Sequence, residues 1–326
     1  MILTGEHGEK FVCKEIGDRE LALYRVFGSL DEISLPDEIN GSVITTIGEY
    51  CFAPNGHTQQ SLSEEMQRAG LGDGIHPVEG SSLRPLCGNY VQKISLPDSV
   101  TSVEAYAFYN CKNLSCLLAG KQLNRIGSDA FMNCRHLGEL QLRASVEEKT
   151  GLPLILNQVS SEVTVRFTDG EEPTCVLYPE YTESYEEIGP AHIFSLHVEG
   201  EGYRARKQFV DGRVDLAGYD QVFEKACNEE HFLTLMKMAL CRLEYPYQLS
   251  NEAKDRYEQY IISHDREVMT KLAASEDADT LAHLCGMKYI SNDAISAAIT
   301  AAISHGWTKG VAGIIRWRND AIKAGE

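Results

Sequence analysis

Thiol and imidazole side chains are the groups in this sequence best suited to covalent catalysis, because a histidine can activate a neighbouring cysteine as a nucleophile. His283 and Cys285 lie two residues apart in a segment whose apolar residues have helical spacing. Residues two apart on a helix point to different faces. The spacing therefore predicts a core cysteine next to a surface histidine, and not a catalytic pair.

Metal binding would require histidine, cysteine or acidic side chains at ligand spacing. The chain has ten cysteines, and no two of them have C-x-x-C spacing. Cys111 and Cys134 occupy the same position of a repeated unit, which indicates buried structural thiols rather than a disulfide or a metal site. His192 and His197 are five residues apart and would lie on opposite sides of a strand. We expect neither a metal nor a cofactor.

The glycines Gly70, Gly72 and Gly74 have a spacing that invites comparison with phosphate-binding loops. They lack the preceding strand, the following helix and the lysine of such loops, so the sequence favours a mobile loop. The catalytic motifs G-x-S-x-G, H-E-x-x-H and G-x-x-x-x-G-K-S/T do not occur in the chain. We therefore predict no catalytic residues, and a protein that is not an enzyme.

Composition narrows the class of partner. The 326 residues are 43% hydrophobic and 24% charged, as in a soluble globular protein, and the net charge of −18 disfavours nucleic acid. No apolar run approaches the length of a membrane span. The first ten residues include Glu6, His7 and Glu9 where a secretory signal would have basic residues. We expect a cytoplasmic location, or an extracellular one if a signal sequence has been removed.

The most regular feature is a unit of 23 residues that is repeated between residues 91 and 142. Equivalent positions 23 apart are Val103 and Ile126, Phe108 and Phe131, Cys111 and Cys134, and Leu114 and Leu137. A fixed period with apolar residues at fixed positions is typical of solenoids, in which stacked units bury the apolar face that one unit cannot bury alone. An irregular first copy begins at Leu30, and its Asn40-Gly41 pair predicts a small additional hairpin.

The pattern L-x-x-L-x-L-P, followed by V/I-x-x-I-G and A-F-x-x-C-x-x-L, resembles the BspA-type (Treponema pallidum-type) bacterial leucine-rich repeat. The resemblance covers about residues 20–145 and is most specific in the two central copies. It implies a leucine-rich-repeat solenoid that binds other proteins, and extracellular relatives act in adhesion. The helical C-terminal region weakly resembles the helix pairs of ankyrin and TPR arrays.

The predicted fold class is α+β, with a short leucine-rich-repeat solenoid, a small β-rich unit and an all-α helical array. The corresponding domains are residues 1–149, with a loop insertion at 54–90, then 150–215 and 216–326. Within the insertion we predict a helix at 62–69, capped by Ser61. In the β-rich unit we predict strands at 163–167, 175–177, 192–198 and 203–209. In the array, Asn228, Ser250 and Asp265 are each predicted to begin a helix.

Outward residues between the strand leucines are the candidate binding surface, because parallel stacking would align them on one face. They are Glu32, Ser34, Gln92, Lys93, Ser95, Gly138, Glu139 and Gln141. We predict a non-catalytic scaffold that binds a protein partner of unknown identity through this face. One alternative is an enzyme whose site lies between the β-rich unit and the helices, with the repeats as a docking arm. A second is a cell-surface adhesion module.

Overall fold

The structure, a computed structural model, describes residues 1–54, 60–170, 172–188, 192–287 and 289–324. Its fold is a mixture of α-helices and β-strands, which confirms the predicted class. The chain divides into two units, Met1–Val222 and Phe223–Glu326.

All the strands of the described residues lie in the first unit. In chain order they are β1 (Ile2–Thr4), β2 (Lys10–Gly17), β3 (Glu20–Gly28), β4 (Glu32–Ser34), β5 (Glu38–Ile39), β6 (Ser42–Ile47), β7 (Arg84–Pro85), β8 (Lys93–Ser95), β9 (Ser102–Val103), β10 (Cys116–Gly120), β11 (Arg125–Ile126), β12 (Glu139–Arg143), β13 (Val163–Phe167), β14 (Thr174–Tyr178), β15 (Thr182–Ile188), β16 (Ile193–Glu199), β17 (Phe209–Val210) and β18 (Arg213–Val214). The helices of the chain are α1 (Gln60–Arg68), α2 (Leu152–Leu156), α3 (Gly202–Ala205), α4 (Leu216–Glu229), α5 (Phe232–Glu244), α6 (Asn251–Ala274), α7 (Ala278–Cys285), α8 (Asn292–Ser304) and α9 (Thr308–Ala324).

Residues one repeat period apart in sequence pair directly in a parallel sheet. Strands β4, β8, β10, β12 and β13 pair side by side, and β14 adds to the far edge in antiparallel orientation. Ile94 lies beside Leu117, and Leu117 lies beside Leu140, so residues 23 apart in sequence are direct neighbours. All three side chains are buried. Burial of such side chains contributes about 2 kcal/mol each to stability.

A second sheet forms the opposite wall of the repeats. Its order is β1-β2-β3-β6-β9-β11, with β3, β6, β9 and β11 parallel. The rings of Phe52, Phe108 and Phe131 stack between the walls, with centroids 4.9 and 5.1 Å apart. Gly127 is needed for close packing at this wall, since a Cβ there would lie 2.3 Å from the Ala105 nitrogen. The predicted interior position of Phe108 and Phe131 is confirmed.

The turn after each second-wall strand places residues at repeat-equivalent positions in the left-handed region. Asn110 and Asn133 have φ values of 59° and 65°, and Asn133 Nδ2 donates to Asn110 Oδ1 over 2.8 Å. The cysteine that follows each asparagine is buried, and its thiol donates to a carbonyl oxygen of an earlier copy. Cys111 Sγ lies 3.1 Å from the Phe52 oxygen, and Cys134 Sγ lies 3.1 Å from the Phe108 oxygen. The predicted buried, structural position of these thiols is confirmed.

The first copy contains the predicted hairpin. Strands β5 and β6 pair in antiparallel orientation through Asn40 and Gly41, which have φ values of 52° and 83°. Positive φ at both central residues is the requirement of a type I′ turn, which asparagine and glycine meet at low cost. After this copy, β4 pairs directly with β8, although Ile33 and Ile94 are 61 residues apart. The insertion therefore adds no strand to the parallel sheet.

The insertion at 54–90 packs against the N-terminal sheet over its described part. Helix α1 buries Leu62 and Met66 against Val12 and Phe27. The predicted helix is confirmed, but its predicted cap is wrong: α1 begins at Gln60, so Ser61 lies inside it. Residues 55–59 of the insertion lie outside the described residues.

The glycine-rich loop of the insertion is held by Asp73. Its carboxylate accepts from the backbone amides of Ile75 and His76, both over 2.8 Å. Burial opposes the ionised form of Asp73, but these hydrogen bonds prevail and lower its pKa to about 2. The two amides are thus already bound to an anion of the protein itself.

The segment after residue 149 continues the parallel sheet through β13. Strands at 163–167 and 175–177 are confirmed, and β16 confirms the third, which begins one residue later at Ile193. The fourth predicted strand, 203–209, is wrong, because the chain forms α3 there. The reason is Arg206, which is buried and donates from Nε to the Val159 oxygen over 3.0 Å and from a terminal nitrogen to the Ser161 oxygen over 2.6 Å.

The second unit is helical. Helix α6 packs against α5 and α8, and α9 packs against α7 and α8. Ser250 caps α6 as predicted, because its side chain accepts a hydrogen bond from the Ala253 amide. Two predicted starts are wrong: Asn228 lies within α4, and Asp265 lies within α6, where its carboxylate accepts from the Ser291 amide over 2.8 Å. The Asp265 carboxylate therefore accepts a hydrogen bond from a distant segment and does not cap a helix that begins at Asp265.

Candidate interaction surface

The candidate surface is the outer face of the parallel sheet. It consists of two rows of side chains, and each row contains the residues that pair directly from one strand to the next. The first row runs Glu32, Lys93, Cys116, Glu139 and Thr164, and the second runs Ser34, Ser95, Leu118, Gln141 and Arg166. We call these ten residues the strand face. Five parallel strands thus bring together residues that are up to 134 positions apart in sequence.

The predicted site residues fall on this face with two exceptions. Glu32, Ser34, Lys93, Ser95, Glu139 and Gln141 occupy its rows, and they are exposed or half-buried. Gln92 and Gly138 immediately precede β8 and β12, so they lie where these strands begin. Gln92 donates from its side-chain amide to Asp31 over 2.6 Å. Its backbone oxygen accepts from Ser115.

Charges on the strand face form ion pairs between neighbouring strands. Lys93 Nζ lies 2.8 Å from Glu32 Oε1, and Arg166 Nε lies 3.4 Å from Glu139 Oε1. The hydrogen bond from Lys93 to Glu32, together with the charge of Glu32, raises the pKa of Lys93. Gln141 donates to the same Glu139 oxygen over 2.9 Å. The face therefore carries two acidic and two basic groups in alternation, in a chain whose net charge is −18.

Between the two ion pairs lies an apolar centre that sequence reasoning missed. It consists of Cys116 and Leu118 on β10, of which Cys116 is buried and Leu118 is half-buried. Burial and the neighbouring charge of Glu139 raise the pKa of Cys116 to about 11, so it is an uncharged thiol at neutral pH. Their register with Lys93 and Ser95, 23 residues earlier, was the signal that could have identified them.

One end of the face is closed by Arg143. Its Nε lies 2.7 Å from Asp98 Oδ1, and its terminal nitrogens contact the Ser95 hydroxyl and the Leu96 carbonyl oxygen. The guanidinium thus links β12 to the loop that follows β8 across the intervening strand. Such fixed side chains keep the neighbouring rows in one arrangement, which reduces the entropy lost on binding.

His283 and Cys285 differ in burial and in their surroundings. His283 is paired with Glu244 and is partly exposed, whereas Cys285 is buried with its pKa raised by burial to about 11. The predicted core cysteine and surface histidine are therefore confirmed. Across the described ranges, no group of three or more His, Cys, Asp or Glu side chains could hold a metal ion. Within the same ranges, no helix is long and apolar enough to cross a bilayer.

Comparison with known protein families identifies the repeats. Residues 86–150 match the family model described as BspA type Leucine rich repeat region (6 copies). This segment is a BspA-type leucine-rich repeat region. It contains β8, β10 and β12, and therefore the centre of the strand face. No curated protein and no solved structure gives a significant match to the chain.

Proposed function

We propose that the chain is a non-catalytic scaffold of the leucine-rich-repeat type, in which a short solenoid binds a partner protein through the strand face. The observation that carries the proposal is the register of β4, β8, β10, β12 and β13. It aligns an uncharged centre, Cys116 and Leu118, between two ion pairs. Interfaces between proteins have the same arrangement, with an apolar centre and a polar rim.

The charge pattern favours a protein partner over nucleic acid. Both cations of the strand face are already paired with carboxylates, so they are not free to neutralise phosphates. An alternating pattern of charges selects a partner with the complementary alternation, and charges of the wrong sign at such positions are costly. The BspA-type repeat region contributes the central strands and supports a role in protein interaction.

Affinity capture from the source cells tests this function. The wild-type chain, Lys93→Glu and Glu139→Lys are immobilised, and the bound proteins are quantified by mass spectrometry. Each substitution places like charges side by side, with Glu32 or with Arg166. We expect at least one protein that binds the wild type and is reduced about tenfold with both variants, which corresponds to about 1.4 kcal/mol.

The matched control is Lys121→Glu. Lys121 forms an ion pair with Glu148 over 2.9 Å, and its side chain is exposed to the same extent as that of Lys93. It lies beyond the end of β10 and outside the strand face. Exposed ion pairs contribute only about 0–1 kcal/mol to stability, so all three variants should fold. Identical sets of bound proteins for the wild type and both face variants would refute the proposal.

A further inference from the structure

The hairpin of β15 and β16 pairs with no other strand in the part of the chain that the structure describes. Its register sets Glu183 opposite Val198, Tyr185 opposite Leu196 and Glu187 opposite Phe194. Side chains of directly opposed residues lie on the same face of an antiparallel pair. One face of the hairpin therefore carries the apolar group Tyr185, Phe194, Leu196 and Val198, together with the two glutamates. We call it the arm face.

Three of the four apolar side chains of the arm face are exposed, and Val198 is half-buried. Tyr185 is 67% exposed, Phe194 64% and Leu196 43%. The described side chains of β15 from Thr182 to Glu187 are exposed as well. An isolated two-stranded hairpin is only marginally stable in water, and contiguous exposed apolar side chains mark interaction sites. The hairpin thus has an apolar face that a binding partner would cover and stabilise.

Charge decides which partner fits. Residues 182–199 include Glu183, Glu186, Glu187 and Glu199, and they include no lysine or arginine. Glu183 and Glu187 lie on the arm face itself, directly opposed to Val198 and Phe194, and Glu187 also contacts the His192 ring. A partner surface with lysine or arginine around an apolar centre would neutralise these carboxylates while it covers the aromatic rings. A second copy of the chain would instead set glutamates against glutamates, which is unfavourable.

We propose that the arm face is a docking site for a basic protein segment that presents apolar residues and lysine or arginine on one and the same face. In an extended segment only every second residue meets the arm face, so the apolar and the basic residues of the segment occupy alternate positions, with small polar residues between them. The site is separate from the strand face and does not depend on the function proposed for it.

The test uses a fluorescein-labelled peptide with the sequence acetyl-Lys-Ser-Phe-Ser-Leu-Ser-Lys-amide and the full chain, with binding followed by fluorescence anisotropy. We expect saturable binding that weakens about tenfold in Tyr185→Ser/Phe194→Ser. It should also weaken severalfold in Glu183→Gln/Glu187→Gln and when the salt concentration is raised from about 0.05 to about 0.5 M. The same peptide with glutamate in place of lysine should not bind.

The matched control is Leu30→Ser/Ile303→Ser, which removes two apolar side chains that are 68% and 64% exposed elsewhere on the chain. It should bind the peptide as the wild type does. No binding of the basic peptide, or equal binding by Tyr185→Ser/Phe194→Ser, would overturn the proposal. So would a dimer in sedimentation velocity that this double variant abolishes, since a second copy would then be the occupant.

Discussion

Lys93 Nζ lies 2.8 Å from Glu32 Oε1 across neighbouring strands, although the two residues are 61 positions apart in sequence. The contact exists because the chain, after β5, β6 and the insertion at 54–90, returns to the parallel sheet at β8, directly beside β4. It joins the irregular first copy to the regular repeats, and it places one of the two ion pairs beside the apolar centre of the strand face. The binding proposal therefore depends on the insertion adding no strand between β4 and β8 in this sheet.

Replacement of Phe108 by alanine should destabilise the first unit by about 3–5 kcal/mol, as large-to-small core changes do. The ring is fully buried between those of Phe52 and Phe131, so its removal leaves a cavity and breaks both stacked contacts. Urea unfolding followed by circular dichroism measures the change. Met132→Ala is the control, because that side chain is exposed. An unchanged unfolding midpoint for Phe108→Ala would mean that the interior of the repeats is wrongly described.

Asn133 should be sensitive to both its backbone conformation and its side-chain hydrogen bond. Alanine at this position must adopt a φ of 65° and also loses the bond to Asn110. Glycine loses only the bond, because it adopts positive φ freely. We expect Asn133→Ala to cost about 2–3 kcal/mol and Asn133→Gly about 1 kcal/mol. If alanine were tolerated as well as glycine in the same unfolding measurement, the left-handed conformation would not matter for stability.

Alkaline pH should destabilise the repeats through their buried thiols. Burial raises the pKa of Cys134 to about 12 from its ordinary value of 9.0. Between those values the unfolded chain loses the thiol proton and the folded chain keeps it. Stability is therefore complete below about pH 9 and falls as pH rises, by about 1.4 kcal/mol per pH unit for each such thiol.

The comparison of the wild type with Cys134→Ala isolates this effect. Free energies of unfolding are measured at about pH 8, 9.5 and 10.5, within the range where the thiol contribution is lost. Other titrating groups contribute equally to both proteins, so the wild type should lose stability more steeply above pH 9 than the variant. Parallel pH dependences would show that Cys134 titrates alike in the folded and unfolded chains.

The 23-residue period predicted the register between strands of the regular repeats, but not the packing of the insertion at 54–90. Apolar positions 23 apart in the two central copies are neighbours in the sheet, because parallel stacking converts a sequence period into a spatial one. Asn40-Gly41 was equally informative, since the turn conformation is a property of those two residues. The alignment of β4 with β8 was predicted from the pattern that the two copies share, whereas the packing of the insertion helix against Val12 and Phe27 was not.

Two of the errors share a physical cause, which is that a side chain forms its hydrogen bonds with a segment distant in sequence. The alternating pattern at 203–209 predicts a strand, but Arg206 binds carbonyl groups of residues 159 and 161 that only the folded chain brings near it. Asp265 has the residue type of a helix cap and binds the Ser291 amide from the middle of α6. Cys116 and Leu118 lie beside Lys93 and Ser95 but are apolar, so their residue types did not indicate a place on a solvated face.

The most direct test of the strand face is a charge exchange within it. The variant Glu32→Lys/Lys93→Glu keeps the ion pair and the net charge but reverses the order of charges beside the apolar centre. Its affinity for a partner captured by the wild type is measured by isothermal titration calorimetry, with the melting temperature as the check on folding. We predict an unchanged melting temperature and an affinity reduced about tenfold or more. Wild-type affinity in this folded variant would contradict binding through the strand face.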